Sequence, residues 1–254
     1  MNLEDMIDHQ YMDHLSIFYK NLQTKECYMH KAECSVPSAS IIKVFIMANF
    51  FERVQNREFD LHETININDF RQCIVSGEFI HKEIYSYYEL LELMIEKSCN
   101  DATNIFIEMI GIDKINTYLV ENNYRDTLLI RKMLDFKMRK EGQDNLTSGK
   151  DVATLLERIY HLELPYSHEM MNILKMKKNK HDYLFKNHTF EIASKYGDLE
   201  SDGGLDEIKN DVAIVFTQKG DYILSIFTWG LDKNIQLDLI YAVSKYIYDE
   251  FMKA

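Results

Sequence analysis

Residues 40–51, SIIKVFIMANFF, are apolar at almost every position. A helix that is hydrophobic on all sides has to be buried inside a protein. The fold must therefore wrap other elements around this helix, which we expect to run from about Ser40 to Gln55. Its first turn carries one ionisable side chain, Lys43.

A lysine and a serine share one face at the start of this helix. Burial disfavours the charged ammonium, so the pKa of Lys43 should lie below its usual value unless the amine is paired. Ser40 precedes Lys43 by three residues, which places the two side chains next to each other. A desolvated lysine can take the proton of a hydroxyl and activate it as a nucleophile, so the pair predicts a reactive centre. A chance Ser-x-x-Lys pattern, with Ser40 as a helix cap and Lys43 extended along apolar surface, is the alternative.

The composition narrows the class of protein. The chain has 254 residues, 46% of them hydrophobic, which suits one domain or two intimate subdomains with a substantial core. A net charge of −12 argues against nucleic acids and anionic membranes as partners. No stretch approaches the roughly 18–20 apolar residues that cross a bilayer. Residues 1–9 are acidic and lack the basic segment and apolar run of a secretory signal, so we expect a cytoplasmic protein.

Cysteine and histidine spacing indicates no cofactor site. The four cysteines, Cys27, Cys34, Cys73 and Cys99, include no Cys-x-x-Cys pair, and we expect reduced thiols. The nine histidines are scattered without the spacing of zinc ligands. Neither a metal nor an organic cofactor is implied.

Hydrophobic periodicity divides the chain into a β–α–β order. We predict helices over residues 3–12, 40–55, 88–97, 101–110, 113–122, 149–161, 167–176 and 234–252. We predict strands over residues 15–20, 26–30, 190–196, 211–217 and 222–228, the third of them ending at Gly197. This order suggests an α+β fold in which the first and last helices cover an antiparallel sheet. The whole chain, 1–254, would be a single domain with an α/β lobe (1–58 and 189–254) and an inserted helical lobe (59–188).

Two further polar groups fall where a cleft between such lobes would be lined. Ser98-Cys99-Asn100 is a polar break between two predicted helices, and Lys195-Tyr196-Gly197 ends a predicted strand. Ser98 could pass a proton to a leaving nitrogen, Asn100 could hold Lys43 and a substrate amide, and Lys195 could supply positive charge to a carboxylate-bearing substrate. Backbone N–H groups of Ser40 and Asp198 could form an oxyanion hole.

In this order the three groups resemble the S-x-x-K, S-D-N and K-T-G motifs of class A β-lactamases and penicillin-binding proteins. The resemblance covers nearly the whole chain after Leu15. It implies a β-lactamase/transpeptidase-like fold and an acyl-serine intermediate, without a cofactor. By this resemblance, Ser40 is the nucleophile, Lys43 the general base, Ser98 the proton relay, Asn100 the positioning group and Lys195 the electrostatic anchor. Tyr196, Gly197 and Asp198 would line the substrate, and Phe79 is either an aromatic rim of the cleft or plain packing.

The sequence departs from the family pattern in three places. Cys99 replaces the aspartate of S-D-N, and we interpret it as a structural thiol. Tyr196 replaces the threonine of K-T-G, which puts recognition of a β-lactam carboxylate in doubt. Residues 129–148 contain no Glu-x-x-x-Asn for activating the deacylating water, and Asp135 and Glu141 suit solvated or salt-bridging roles better than that of a base. Without such a base, an acyl-enzyme could form and persist.

These observations favour a serine hydrolase that acts on a β-lactam or a related amide. An intracellular amidase, peptidase or esterase on the same fold is one alternative. A relative that binds ligands without turning them over is another. In each case the partner is a small molecule rather than a nucleic acid or a membrane, and the oligomeric state stays open.

Overall fold

The computed structural model describes residues 3, 6–176, 183–185, 188–201 and 204–253. Its strands are β1 Leu15–Asn21, β2 Cys27–His30, β3 Val36–Pro37, β4 Thr64–Asn66, β5 Ile84–Ser86, β6 Leu146–Thr147, β7 Ile192–Leu199, β8 Ile208–Thr217 and β9 Gly220–Trp229. Its α-helices are α1 Ile42–Gln55, α2 Tyr87–Glu96, α3 Asn100–Ile110, α4 Ile112–Glu121, α5 Phe136–Lys140, α6 Gly149–Tyr160, α7 Ser167–Lys175 and α8 Lys233–Lys253.

The main sheet has five antiparallel strands in the order β2-β1-β9-β8-β7. The chain leaves this sheet after β2 and returns to it with β7, so the helical block is inserted between two parts of one sheet. Strands β8 and β9 are buried along most of their length, because both faces of the sheet are covered. The predicted α+β fold, an antiparallel sheet with helices, is confirmed.

The nearly all-apolar helix α1 lies in the larger of two hydrophobic clusters, together with α2, α3, α4, α6 and α7. The ring of Phe50 lies 4.8 Å from that of Phe106, 5.2 Å from Phe59 and 5.4 Å from Tyr87, measured between centroids. The second cluster joins α8 to the opposite face of the sheet. Burial of α1 on all sides thus follows from its sequence, as predicted. The proposed division into two lobes at residues 58 and 189 remains a prediction.

The N-terminal segment differs from the predicted helix over residues 3–12. Among its described residues, the structure has a short 3-10 helix, His9–His14, which the side chain of Asp8 caps by accepting a hydrogen bond from Gln10 N. Leu3 and Ile7 pack against the sheet on the same side as α8. The spacing of the apolar residues in this segment therefore reflects their packing against the sheet and not one continuous helix.

The third predicted strand, residues 190–196, is shifted along the chain, because β7 begins at Ile192 and ends at Leu199. Strand β7 does not end at Gly197 but pairs with β8 as far as Leu199, opposite Ile208. Gly197 adopts no left-handed conformation that would break the strand. The periodicity also did not predict the 3-10 helix Ile67–Cys73 or the short helix α5. Within the described residues, no helix combines the length and apolarity needed to cross a membrane.

Candidate active site

Ser40 lies in a strained turn that leads directly into α1. The turn is a 3-10 helix, Ala39–Ile41, and Ala39 has a left-handed φ of 46°. A conformation of this kind persists in a non-glycine residue only when its surroundings impose it. Asn210 of β8 supplies part of that restraint, because its side-chain amide donates to Pro37 O at 3.0 Å. Ser40 itself is 9% exposed.

Lys43, one turn further on, is fully buried. Its Nζ donates to Ser98 O at 2.6 Å, to Ser98 Oγ at 3.1 Å and to Asn100 Oδ1 at 2.8 Å. All three acceptors are neutral. Burial, reinforced by the nearby cation of Lys195, holds the pKa of Lys43 well below the usual value of 10.5. The neutral amine is therefore easier to form here than at an exposed lysine.

The three hydrogen bonds of Lys43 differ from the direct Ser40–Lys43 contact that the sequence predicts. In the part of the chain that the structure describes, no hydrogen bond joins Ser40 Oγ and Lys43 Nζ. The amine is instead directed toward the break between α2 and α3. A neutral Lys43 has one fewer N–H to donate and gains a lone pair, so deprotonation frees it to accept a proton.

Ser98 connects two lysines through its hydroxyl. Its backbone is left-handed, with a φ of 52°, at the break between α2 and α3. Ser98 Oγ accepts from Lys43 Nζ at 3.1 Å and from Lys195 Nζ at 2.9 Å. A hydroxyl has two lone pairs and one proton. Both lone pairs of Ser98 Oγ accept hydrogen bonds, so its O–H group remains available as a donor.

Cys99 caps α3 rather than facing the cleft. It is 1% exposed, and its Sγ accepts a hydrogen bond from Ala102 N at 3.4 Å. Burial raises the pKa of the thiol, which disfavours a reactive thiolate. These contacts support the interpretation of Cys99 as a structural residue.

Lys195 lies beneath the cleft and is 1% exposed. Besides Ser98, it donates to Tyr196 O at 2.7 Å, and its Nζ lies 4.4 Å from the centre of the Tyr196 ring. Burial, followed by the negative charge of Asp198, raises the pKa of the Tyr196 phenol. The phenol therefore stays neutral beside the lysine at physiological pH.

Gly197 brings the edge strand β7 against the turn that carries Ser40. A Cβ atom at Gly197 would lie 2.8 Å from Ser40 N, 3.1 Å from Ala39 Cβ and 3.2 Å from Ile41 N. The first distance is shorter than Cβ contacts in proteins, the other two are unusually tight, and two of the three are to backbone atoms. Glycine is therefore required here by close approach, and it places the backbone of β7 beside Ser40.

A cleft of about 450 Å³ opens over these groups. The residues lining it are Ser40, Ser76, Glu78, Phe79, Lys97, Ser98, Asn100, Tyr196 and Asp198. The structure thus brings together all nine site residues predicted from the sequence: six line the cleft, Lys43 and Lys195 lie beneath it, and Gly197 contacts the turn at Ser40. Phe79 both lines the cleft and packs against the core.

Asp101 is a residue of the site that the sequence did not reveal. Its buried carboxylate accepts from Val75 N at 2.7 Å, Ser76 N at 2.9 Å and Gly77 N at 2.7 Å. These bonds tie the loop that carries Glu78 to the first turn of α3, next to Asn100. An acidic residue in the first turn of a helix was the available signal, but it names no partner.

The loop over residues 129–148 is fixed by contacts of its backbone. Asn104 donates to Met133 O at 3.2 Å and accepts from Met133 N at 2.7 Å. Asp135 caps α5 by accepting from Met138 N at 3.1 Å, and Glu141 is exposed. Neither carboxylate is among the described residues that line the cleft, so Glu78 and Asp198 are the acidic side chains found there.

Ser40 at the start of the buried helix, the buried Lys43 amine, and a second lysine that reaches the Ser98 hydroxyl from the sheet edge together fit a β-lactamase-like hydrolase. The chain belongs to the beta-lactamase enzyme family, whose model matches residues 2–251. None of the curated proteins compared with the chain matches it significantly.

Solved structures share this fold along nearly the whole chain. PBP-A is 24% identical, with a TM-score of 0.84 over 100% of this chain and 95% of that one. A point mutant of PBP-A, solved as its acyl-enzyme complex with penicillin G, is 24% identical, with a TM-score of 0.80 over 94% and 90%. A class A beta-lactamase from Bacteroides cellulosilyticus is 20% identical, with a TM-score of 0.82 over 98% and 96%.

Proposed function

We propose that this protein is a serine hydrolase that acts on a β-lactam or a related amide through an acyl-Ser40 intermediate. One observation carries the proposal: the buried Lys43 amine, with its lowered pKa, meets Ser98 beside a cleft that Ser40 lines. A chain without catalytic demand gains nothing from burying an ammonium among neutral acceptors, because the desolvation is unfavourable.

Acylation would proceed in two stages. Neutral Lys43 takes the proton of Ser40 Oγ as this oxygen bonds to the substrate carbonyl carbon. The π electron pair of the C=O bond moves onto the carbonyl oxygen. The C=O bond then reforms and the C–N bond breaks, while the leaving nitrogen takes the proton of the Ser98 hydroxyl. The Lys43 ammonium returns a proton to Ser98, which leaves an acyl ester on Ser40 and restores the amine.

The developing oxyanion needs N–H donors beside Ser40. We assign this role to the backbone N–H groups of Ser40 and Asp198, because Gly197 packs β7 against Ser40 N. Each such donor is worth about 3 kcal/mol of transition-state stabilisation. Lys195 would keep Ser98 oriented and favour release of its proton, since its own positive charge lies 2.9 Å from the hydroxyl oxygen.

Deacylation is the slower half of the proposed reaction. Asp135 caps a helix and Glu141 is solvated, so the loop over residues 129–148 offers no evident base to a water at Ser40. We therefore expect the acyl-enzyme to persist. The fold accommodates such a state, since the point mutant of PBP-A holds penicillin G as an acyl-enzyme.

An amidase or esterase with substrates that lack a carboxylate is the second candidate. Tyr196 favours it, because a phenol ring fills the position at which the resemblance implies a small hydroxyl. The two candidates are separated by comparing turnover of a chromogenic cephalosporin with that of p-nitroanilides and p-nitrophenyl esters. Faster acylation by the cephalosporin supports the first candidate, and turnover confined to the amides or esters supports the second. The Ser40→Ala variant is the control for both candidate functions. Turnover that persists in this variant contradicts both of them.

A further inference from the structure

The charges on the cleft wall are mostly negative. Glu78 and Asp198 line the cleft, and Lys97 is the cation that lines it with them. Lys97 Nζ lies 2.8 Å from Glu96 Oε1, so its charge is compensated locally. Lys195 lies beneath the wall, where its Nζ donates hydrogen bonds to Ser98 Oγ and Tyr196 O.

Asp198 is held in place, and part of its side chain stays exposed. The hydroxyl of Tyr183 donates to Asp198 Oδ2 at 2.6 Å, while the side chain of Asp198 stays 32% exposed. Its other oxygen, Oδ1, is buried and lies 3.7 Å from Lys209 Nζ. That amine lies nearer to Glu207, at 2.9 Å. Lys209 thus lies near two carboxylates and is closer to Glu207, so it neutralises Asp198 only in part.

The position of Asp198 along β7 relates it to the nucleophile. Asp198 follows Gly197, the residue packed against Ser40 N. Residues two apart on a strand face the same side, so Tyr196 and Asp198 share the wall of the cleft. A substrate that lies along this strand with its carbonyl at Ser40 therefore brings its next substituent close to the Asp198 carboxylate.

We propose that this cleft selects amide or β-lactam substrates that carry an ammonium group over those that carry a carboxylate, and that Asp198 is the residue that binds the ammonium. Glu78 strengthens the preference, because it lines the same cleft and carries the same charge. The inference rests on the proposed function, whose site it describes further. It differs from the sequence-based expectation that Lys195 anchors a substrate carboxylate, and the experiment below separates the two.

Binding to Ser40→Ala tests the preference without requiring turnover. Three probes are made from penicillin G by converting its carboxyl group into a 2-aminoethyl, a 2-hydroxyethyl or a carboxymethyl amide, which are cationic, neutral and anionic at nearly equal length. We expect the cationic probe to bind about tenfold or more tightly than the anionic one by calorimetry, with the neutral probe between them. The difference should shrink in 0.5 M NaCl, because salt screens charges that solvent reaches.

Asp198→Asn in the same background should reduce the ratio of the two affinities to within about threefold. Glu78→Gln should reduce it less and serves as the test if Asp198→Asn does not fold. Glu163→Gln removes one exposed negative charge outside the cleft and should leave the ratio unchanged. Tighter binding of the anionic probe, no measurable binding of the cationic one, or a ratio untouched by Asp198→Asn and Glu78→Gln overturns the proposal.

The failure of this inference is distinct from failure of the proposed function. Acylation of the wild-type protein by penicillin G reports the latter and requires no charge preference. Suppose that the wild-type protein is acylated but its Ser40→Ala variant prefers the anionic probe. The proposed function would then stand, and the preference would be assigned to Lys195.

Discussion

The Nζ atom of Lys43 donates hydrogen bonds to both the backbone carbonyl and the hydroxyl of Ser98, at 2.6 and 3.1 Å. The two residues lie on different elements, the first turn of α1 and the break between α2 and α3. Their contact removes the amine from water and connects it to a hydroxyl that also faces Lys195. The chemistry that we propose depends on this arrangement.

Lys43→Met should lower the rate of acylation by roughly two to four orders of magnitude, the usual scale for loss of a general base. The thermal midpoint should stay level or rise, because the substitution removes a buried amine and keeps an unbranched side chain of similar length. Labelling by a fluorophosphonate, followed with time, measures the rate. An unchanged rate would make Lys43 a structural residue.

The acylation rate should depend on pH through Lys43. Only the neutral amine accepts a proton, so the rate should rise as pH increases through the lowered pKa and reach its plateau below the range of an ordinary lysine. Lys195→Met removes a cation that contributes to this lowering and should move the rising limb to higher pH. The midpoint of the limb, rather than the plateau, is the quantity to compare. An unchanged midpoint of the rise in acylation rate with pH would show that Lys195 does not influence the pKa of Lys43.

Gly197→Ala should impair acylation more than stability. The added methyl group would lie 2.8 Å from Ser40 N. Either the turn that carries Ser40 or the strand β7 must then shift, and both shifts change the position of the nucleophile relative to β7. A displacement of about 1 Å at a reacting group costs on the order of a hundredfold in rate. Acylation rates and thermal midpoints of the variant and wild type provide the comparison. Equal acylation rates would mean that β7 does not fix the position of Ser40.

Asp101→Ala should destabilise the protein by about 3 kcal/mol, because it removes a charged acceptor from several backbone N–H groups at once. Asp101→Asn retains one acceptor oxygen and should lose less. Urea unfolding measures both free energies. Loss of order in the loop that carries Glu78 should also raise KM more than it lowers kcat. A destabilisation below about 1 kcal/mol in the alanine variant would contradict the assigned role of Asp101.

The sequence predicted the features that depend on local pattern. The apolar residues on every face of α1 required burial, and the period of two after residue 190 indicated strands. The departures have local causes. Asp8 starts a separate 3-10 turn within the predicted first helix, and Gly197 continues β7 because its conformation is compatible with a strand.

Contacts between distant parts of the chain were less accessible to prediction. Asp101 binds backbone groups 24 to 26 residues away, and Asn104 binds Met133 across 29 residues. Such side-chain to backbone bonds leave no periodicity in a sequence, because any residue offers the backbone partner. The same limit applies to Lys43: helical spacing predicted Ser40 as its neighbour, whereas tertiary packing supplies Ser98 and Asn100 as its hydrogen-bond partners.

Intact-protein mass spectrometry after mixing with penicillin G tests the central claim most directly. The account predicts that the protein gains the mass of one penicillin molecule, that this adduct decays slowly, and that Ser40→Ala acquires no adduct. An adduct of equal yield on Ser40→Ala, or no adduct on the wild-type protein with penicillin G or any of the amide and ester substrates, would contradict the assignment of Ser40 as the nucleophile.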